Sequence, residues 1–81
     1  MNEVTQKADR AEKLQASETF NEFLAETTER QVAVFRDVAS SEADRAEAHA
    51  MLRALDKIKA QIARAVSDGK IARKRAAKRK P

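Results

Sequence analysis

The stretch SSEADRAEAHAMLRALDKIKAQIARAV, residues 40–66, decides the fold. It opens with Ser41 and, three residues later, Asp44, which approximates a capping box, where two side chains satisfy backbone N–H groups at a helix start. Apolar residues then recur at alternating spacings of three and four, so they share one helix face. They are Ala48, Met51, Leu55, Ile58, Ile62 and Ala65, flanked by Leu52 and Val66. The stretch predicts an amphipathic helix at about 42–68.

The only glycine of the chain, Gly69, follows this pattern directly. Glycine often adopts the left-handed conformation just beyond a helix C-terminus. We therefore expect the helix to end at residue 68 and residues 70–81 to form a basic, flexible tail.

A second apolar stripe precedes the capping box at similar spacings. Its members are Phe20, Leu24, Thr27, Gln31, Val34 and Val38, flanked by Phe23 and Phe35. It predicts a helix at about 18–37, and the short connection to the next helix predicts an antiparallel helical hairpin. Thr27 and Gln31 make the stripe's centre polar. Either the hairpin middle is loosely packed, or Gln31 specifies the register of an oligomer seam.

Residues 3–15 are rich in helix formers and predict a lead-in helix. Ser17, followed by Glu18, can cap the next helix. Serine inside a helix costs only about 0.5 kcal/mol relative to alanine, so one helix over 3–37 is the alternative. The sequence thus predicts an all-α protein with a lead-in helix in 1–16, a helical hairpin in 17–69 and a tail in 70–81.

The composition allows only a thin hydrophobic core. The chain has 81 residues, three phenylalanines as its only aromatics, and no cysteine. A small domain without disulfides or metal usually gains stability from oligomerisation or from a partner. We therefore expect a protein partner or a homo-oligomer. The candidate core or interface residues are Phe20, Phe23, Leu24, Val34, Phe35, Met51, Leu52, Leu55, Ile58, Ile62 and Val66.

Charge is distributed unevenly along the chain. Residues 1–50 hold 11 acids and 6 bases, whereas residues 51–81 hold 2 acids and 11 bases. The excess is concentrated after Gly69, and such a basic run is typical of contact with nucleic-acid phosphate. The candidate binding residues are Lys70, Arg73, Lys74, Arg75, Lys78, Arg79 and Lys80. The alternatives are a solubilising end or a tail that binds an acidic protein surface.

No residue pattern predicts catalysis or metal binding. His49 is the only histidine, too few for a multi-histidine site. The carboxylates Glu18, Glu22, Glu26 and Glu29 line one helix ridge, which is more often a solvated face than a cation site. Nucleophile–base pairs and glycine-rich phosphate loops are missing, so we expect no enzyme activity, no cofactor and no small-molecule substrate. The charged residues 1–10 and the lack of a long apolar run predict a soluble protein without membrane contact.

Five segments carry a resemblance to a known group of proteins. They are Phe20-Asn-Glu-Phe-Leu24, Val34-Phe-Arg-Asp37, Ser41-Glu-Ala-Asp-Arg-Ala-Glu-Ala48, Arg53-Ala-Leu-Asp-Lys-Ile58 and Asp68-Gly-Lys-Ile-Ala72. With them, residues 20–72 resemble small uncharacterised helical proteins encoded among the head and DNA-packaging genes of tailed bacteriophages. The resemblance implies a role in virion assembly or genome packaging, in the virion or the host cytoplasm, and it transfers no active site.

Three functions remain open on the sequence. The first is a structural or packaging-accessory protein of a phage-like particle that joins an assembly through its apolar stripes and contacts nucleic acid with its basic end. The second is a small dimeric nucleic-acid-binding regulator. The third is a protein-binding adaptor or inhibitor.

Overall fold

Three α-helices make up nearly all of residues 2–79, the part of the chain that the computed structural model describes. They are α1 (Glu3–Ala16), α2 (Glu18–Arg36) and α3 (Glu42–Arg79). Residues 2–79 contain no strand, so the all-α prediction is confirmed.

Helix α1 begins with a cap at Asn2, whose side-chain Oδ1 accepts a hydrogen bond from the Val4 N–H at 2.9 Å. The helix ends at Ala16, and at Ser17 the backbone becomes extended and the N–H donates to the Leu14 carbonyl at 3.1 Å. Helix α2 starts at the next residue, Glu18. Of the two arrangements that the sequence allows, the structure has the helix break at Ser17.

The loop between α2 and α3 is held by short-range hydrogen bonds. Asp37 Oδ1 accepts from the Ala39 N–H at 2.9 Å. The Ser41 N–H donates to Asp44 Oδ2 at 3.0 Å, and the Asp44 N–H donates to Ser41 Oγ at 3.0 Å. This reciprocal pair is a capping box, and it fixes the start of α3 where the sequence predicts it.

The predicted end of the third helix at residue 68 is wrong. Helix α3 continues to Arg79, so residues 70–79 of the predicted flexible tail are helical. Gly69 has no positive φ and lies inside the helix, although a helical glycine costs about 1 kcal/mol relative to alanine. Glycine fits here because α1 is close: a Cβ at this position would lie only 2.1 Å from the Cβ of Ala8. Lys80 and Pro81, also assigned to the tail, lie outside the described residues.

The chain divides into two compact units, and α3 contributes to both. Unit 1 consists of Met1–Ser17 and Ala60–Pro81, and unit 2 of Glu18–Lys59. Within residues 2–79, the buried apolar residues are Ala8, Ala11, Ala48 and Val66. Three of these four are alanines, which bury little area, so the core is thin.

Candidate nucleic-acid interface

The second half of α3 lies beside α1 in unit 1. Its inner face is marked by Val66, Gly69 and Ala72, which are buried or half-buried and recur every three residues. Gly69 meets Ala8 of α1, which is 0% exposed. This close approach determines which side of the basic segment faces α1 and which faces solvent.

Among the predicted nucleic-acid-binding residues within 70–79, Arg73 is the one that the structure pairs with acids. Its guanidinium binds Asp9 of α1 through Nη2, and its Nη1 lies 3.4 Å from Glu12 Oε1. The three side chains are 44–58% exposed, so each ion pair contributes at most about 1 kcal/mol to stability. The pairing still reduces the availability of Arg73 for an external phosphate.

The other predicted bases within residues 70–79 point away from this contact. Lys70, Lys74 and Lys78 recur every four residues and form one ridge of α3, which we call the lysine ridge. Arg75 and Arg79, also four apart, lie on a second ridge. All five side chains are exposed, and none of them forms an ion pair with a carboxylate of residues 2–79. The seventh predicted base, Lys80, lies outside the described residues.

The lysine ridge has dimensions that suit a nucleic-acid backbone. Eight residues separate its ends, which is about 12 Å of helix. Duplex DNA carries one negative charge per about 1.7 Å of its axis, so about seven phosphate charges lie along that length. The lysine ridge thus carries three positive charges over a length along which a duplex bears several phosphate charges.

Arg75 and Arg79 line a shallow cavity of about 530 Å³ in unit 1. Asn2 and Val4 at the start of α1 form its opposite side, and Asp68 is the only acid among the described residues that line it. Two guanidinium groups against one carboxylate leave a positive balance. Guanidinium forks match phosphate oxygens in bidentate geometry, so the cavity has the chemistry of a candidate anion site.

The two units differ in charge as well as in position along the chain. Within residues 2–79, unit 1 holds ten bases and four acids, whereas unit 2 holds six bases and nine acids. The excess positive charge is therefore a property of unit 1. Lys78 and Arg79 also occupy the last turn of α3, where cations oppose the negative end of the helix dipole. This helps to explain why so basic a segment stays helical.

The remaining predicted residues fall into three groups by exposure. Val66 is buried. The half-buried residues are Phe20, Leu24, Val34, Leu52, Leu55 and Ile62. The exposed ones are Phe23, Phe35, Met51 and Ile58. The residues that the sequence predicts as core or interface thus include both inward-facing and solvent-facing side chains.

Residues 2–79 contain no group of three histidine, cysteine, aspartate or glutamate side chains placed to hold a metal ion. His49 is exposed on α3, and the Glu18–Glu29 ridge is exposed on α2. None of the helices in this range is long and apolar enough to cross a membrane.

Sequence reasoning missed the part of α1 in this site. Ala8 and Ala11 are small residues three apart, followed by Asp9 and Glu12 respectively. In α3, Gly69 and Ala72 are likewise small and three residues apart, and the base Arg73 follows Ala72. Matching small residues and opposite charges on two helices is a signal of close packing, and it was present in the sequence.

Comparison of the chain with protein-family models, curated proteins and solved structures finds no match.

Proposed function

We propose that this chain is a non-enzymatic protein that binds the nucleic-acid phosphate backbone through the basic segment of α3, residues 70–79, together with Lys80. The observation that carries the proposal is the lysine ridge. Three exposed lysines, unpaired with carboxylates of residues 2–79, share one side of a helix whose other side faces α1. Each one that neutralises a phosphate releases condensed counterions, which drives binding.

Recognition in this proposal is of backbone and not of sequence. The basic segment contains lysine, arginine, alanine and Ile71, and it has no aromatic residue on which a base would stack. It also has no asparagine or glutamine for hydrogen bonds to base edges. Contacts of lysine and arginine with phosphate position a protein on nucleic acid without reading its sequence.

The proposal assigns the rest of the chain to assembly. In this proposal α2 and the first part of α3 form the antiparallel helical hairpin that the sequence predicts. Their exposed apolar side chains bind other subunits. The resemblance of residues 20–72 to proteins of phage head and packaging genes supports a structural or packaging-accessory role in a phage-like particle. A small dimeric DNA-binding regulator would share the phosphate contacts and differ by acting outside a particle.

The test is duplex DNA binding by a triple variant, Lys70→Gln, Lys74→Gln and Lys78→Gln, measured across about 50 to 200 mM salt. Glutamine preserves helix propensity and removes charge. The slope of log affinity against log salt should become shallower by about 2 to 3, since each lost phosphate contact contributes about 0.9.

A matched control removes three exposed lysines outside the ridge, Lys7→Gln, Lys57→Gln and Lys59→Gln. Net charge falls by the same amount, so any general electrostatic effect is reproduced. The control should keep the slope of the unmodified chain. Equal slopes for the two triple variants would contradict a dedicated ridge and favour an acidic protein surface as its target.

A further inference from the structure

Helix α1 carries two acids that bind a base of the basic segment. Asp9 and Glu12 are three residues apart, so their side chains lie on one face of α1. Both carboxylates contact the guanidinium of Arg73, Asp9 at Nη2 and Glu12 at Nη1. Each contact joins residues more than sixty positions apart in sequence. The fold of unit 1, and not proximity along one helix, therefore brings these groups together.

Close packing of α1 against α3 positions the acids. Asp9 directly follows Ala8, which is 0% exposed at the contact with Gly69. Arg73 lies about one turn after Gly69 in α3. The packing that buries Ala8 thus also places Asp9 and Glu12 beside Arg73.

This contact leaves a local excess of negative charge at the border of the lysine ridge. Two carboxylates against one guanidinium leave one negative charge uncompensated. Arg73 is three residues after Lys70, so the two side chains are neighbours on the surface of α3. A phosphate that approaches this border of the ridge meets two acids in place of a free base.

Carboxylate and phosphate oxygens compete for Arg73, because both accept from the planar guanidinium fork. Relative to 1 M salt, one phosphate contact strengthens binding about fourfold at 200 mM and about fifteenfold at 50 mM. An exposed ion pair is worth up to about fivefold, and charge networks, such as a guanidinium shared by two carboxylates, reach that upper end. Together the two pairs are worth up to about 25-fold, so the acids retain Arg73 across this salt range.

We infer that Asp9 and Glu12 act as an internal competitor of nucleic acid, which withholds Arg73 from phosphate and so weakens binding by the basic segment. The inference rests on the proposed phosphate binding and adds regulation of the same surface. It gives α1 a part in function besides packing. Removal of the two negative charges should strengthen binding by one phosphate contact.

The test is duplex DNA binding by the full chain with Asp9→Asn and Glu12→Gln, across about 50 to 200 mM salt. Both substitutions keep the side-chain shape and remove the charge. The log–log slope should become steeper by about 0.9, and affinity should rise about fourfold at 200 mM and about fifteenfold at 50 mM. Addition of Arg73→Gln should return the slope to that of the intact chain, since Arg73 provides the extra contact.

A matched control, Glu22→Gln with Asp56→Asn, removes one glutamate and one aspartate from exposed positions in unit 2. Net charge rises by the same amount, so any general electrostatic effect is reproduced. The control should keep the slope of the intact chain.

Side-chain NMR signals of Arg73 give a second readout. They should respond to added DNA in the double variant and not in the intact chain. If the double variant loses helical content, Asp9→Asn and Glu12→Gln are measured singly, and each should raise affinity by a smaller factor that disappears with Arg73→Gln.

Two results would overturn the inference and leave phosphate binding in place. They are a slope that the acid variants do not change, and an increase in slope that persists when Arg73→Gln is added, each with steep salt dependence in the intact chain. An intact chain that does not bind DNA at about 50 mM salt would overturn the proposed function, and the inference with it.

Discussion

At the scale of single residues, Gly69 and Ala8 determine how closely α1 approaches α3. Replacing Gly69 with alanine should gain about 1 kcal/mol of helix propensity. The new Cβ would lie 2.1 Å from the Ala8 Cβ, so the helices must separate, and overpacking costs roughly 1 to 3 kcal/mol. We expect Gly69→Ala to lower the unfolding free energy and Gly69→Leu to lower it further, as measured by urea denaturation.

A double-mutant cycle separates this clash from other effects. Ala8→Gly in the Gly69→Ala background restores the lost space, so the pair should be more stable than the sum of the single changes predicts. Simple additivity would show that the two residues do not touch.

Asp44 makes the start of α3 sensitive to acid. The pKa of its carboxyl is held below the ordinary value of 3.8, chiefly because it accepts from the backbone N–H of Ser41, and further because of the Ser41 hydroxyl and the charge of Arg45. A depressed folded-state pKa gives stability that is complete above about pH 3.8 and is lost as pH falls through the folded value. Asp44→Ala should remove this part of the acid transition, measured as melting temperature against pH.

The control for the acid transition is Asp56→Ala, at an exposed position in the middle of α3. It lies outside the capping box, so it measures the general effect of removing one exposed acid from α3. A slope unchanged in Asp44→Ala would show that the capping box does not contribute to acid stability.

Arg73 and Lys74 are adjacent bases with different predicted roles. Arg73 is paired with Asp9 and Glu12, whereas Lys74 lies on the lysine ridge. Lys74→Gln should reduce the salt slope of DNA binding by about 0.9, and Arg73→Gln should leave it nearly unchanged. Equal reductions of the salt slope would mean that Arg73 separates from Asp9 and Glu12 and contacts phosphate when DNA binds.

At the scale of elements, the two ends of α3 show what sequence can predict. Its start depends on Ser41 and Asp44, which are three residues apart, so a local pattern sufficed. Its end depends on Gly69 packing against Ala8, far away in the chain, and local propensity cannot reveal such a contact. The stripes predicted the helices well, but which stripe residues face solvent depends on tertiary packing.

Helical structure through Arg79 is itself testable. Backbone carbon chemical shifts of residues 70–79 should be helical and continuous with those before Gly69, because α1 packs on that part of α3. Amide exchange there should be slower than in an unstructured chain. Random-coil shifts beginning after Gly69 would contradict a helix through Arg79 and would support the flexible tail that the sequence alone predicts.

At the scale of the whole molecule, charge distinguishes the two units. The charge separation is read directly from the sequence, and the binding role of the seven bases in residues 70–80 stays a prediction. The sequence did not reveal that α1 pairs with Arg73. That contact arises when helices distant in sequence come together.

The most direct measurement for the central claim is the salt dependence of duplex DNA binding by the intact chain, with two DNA duplexes of unrelated sequence. Six bases, namely the lysine ridge with Arg75, Arg79 and Lys80, should give a log–log slope of about −5 to −6 for both duplexes. Similar affinities for the two would confirm backbone recognition. No binding at about 50 mM salt, or a flat slope, would contradict phosphate binding by α3.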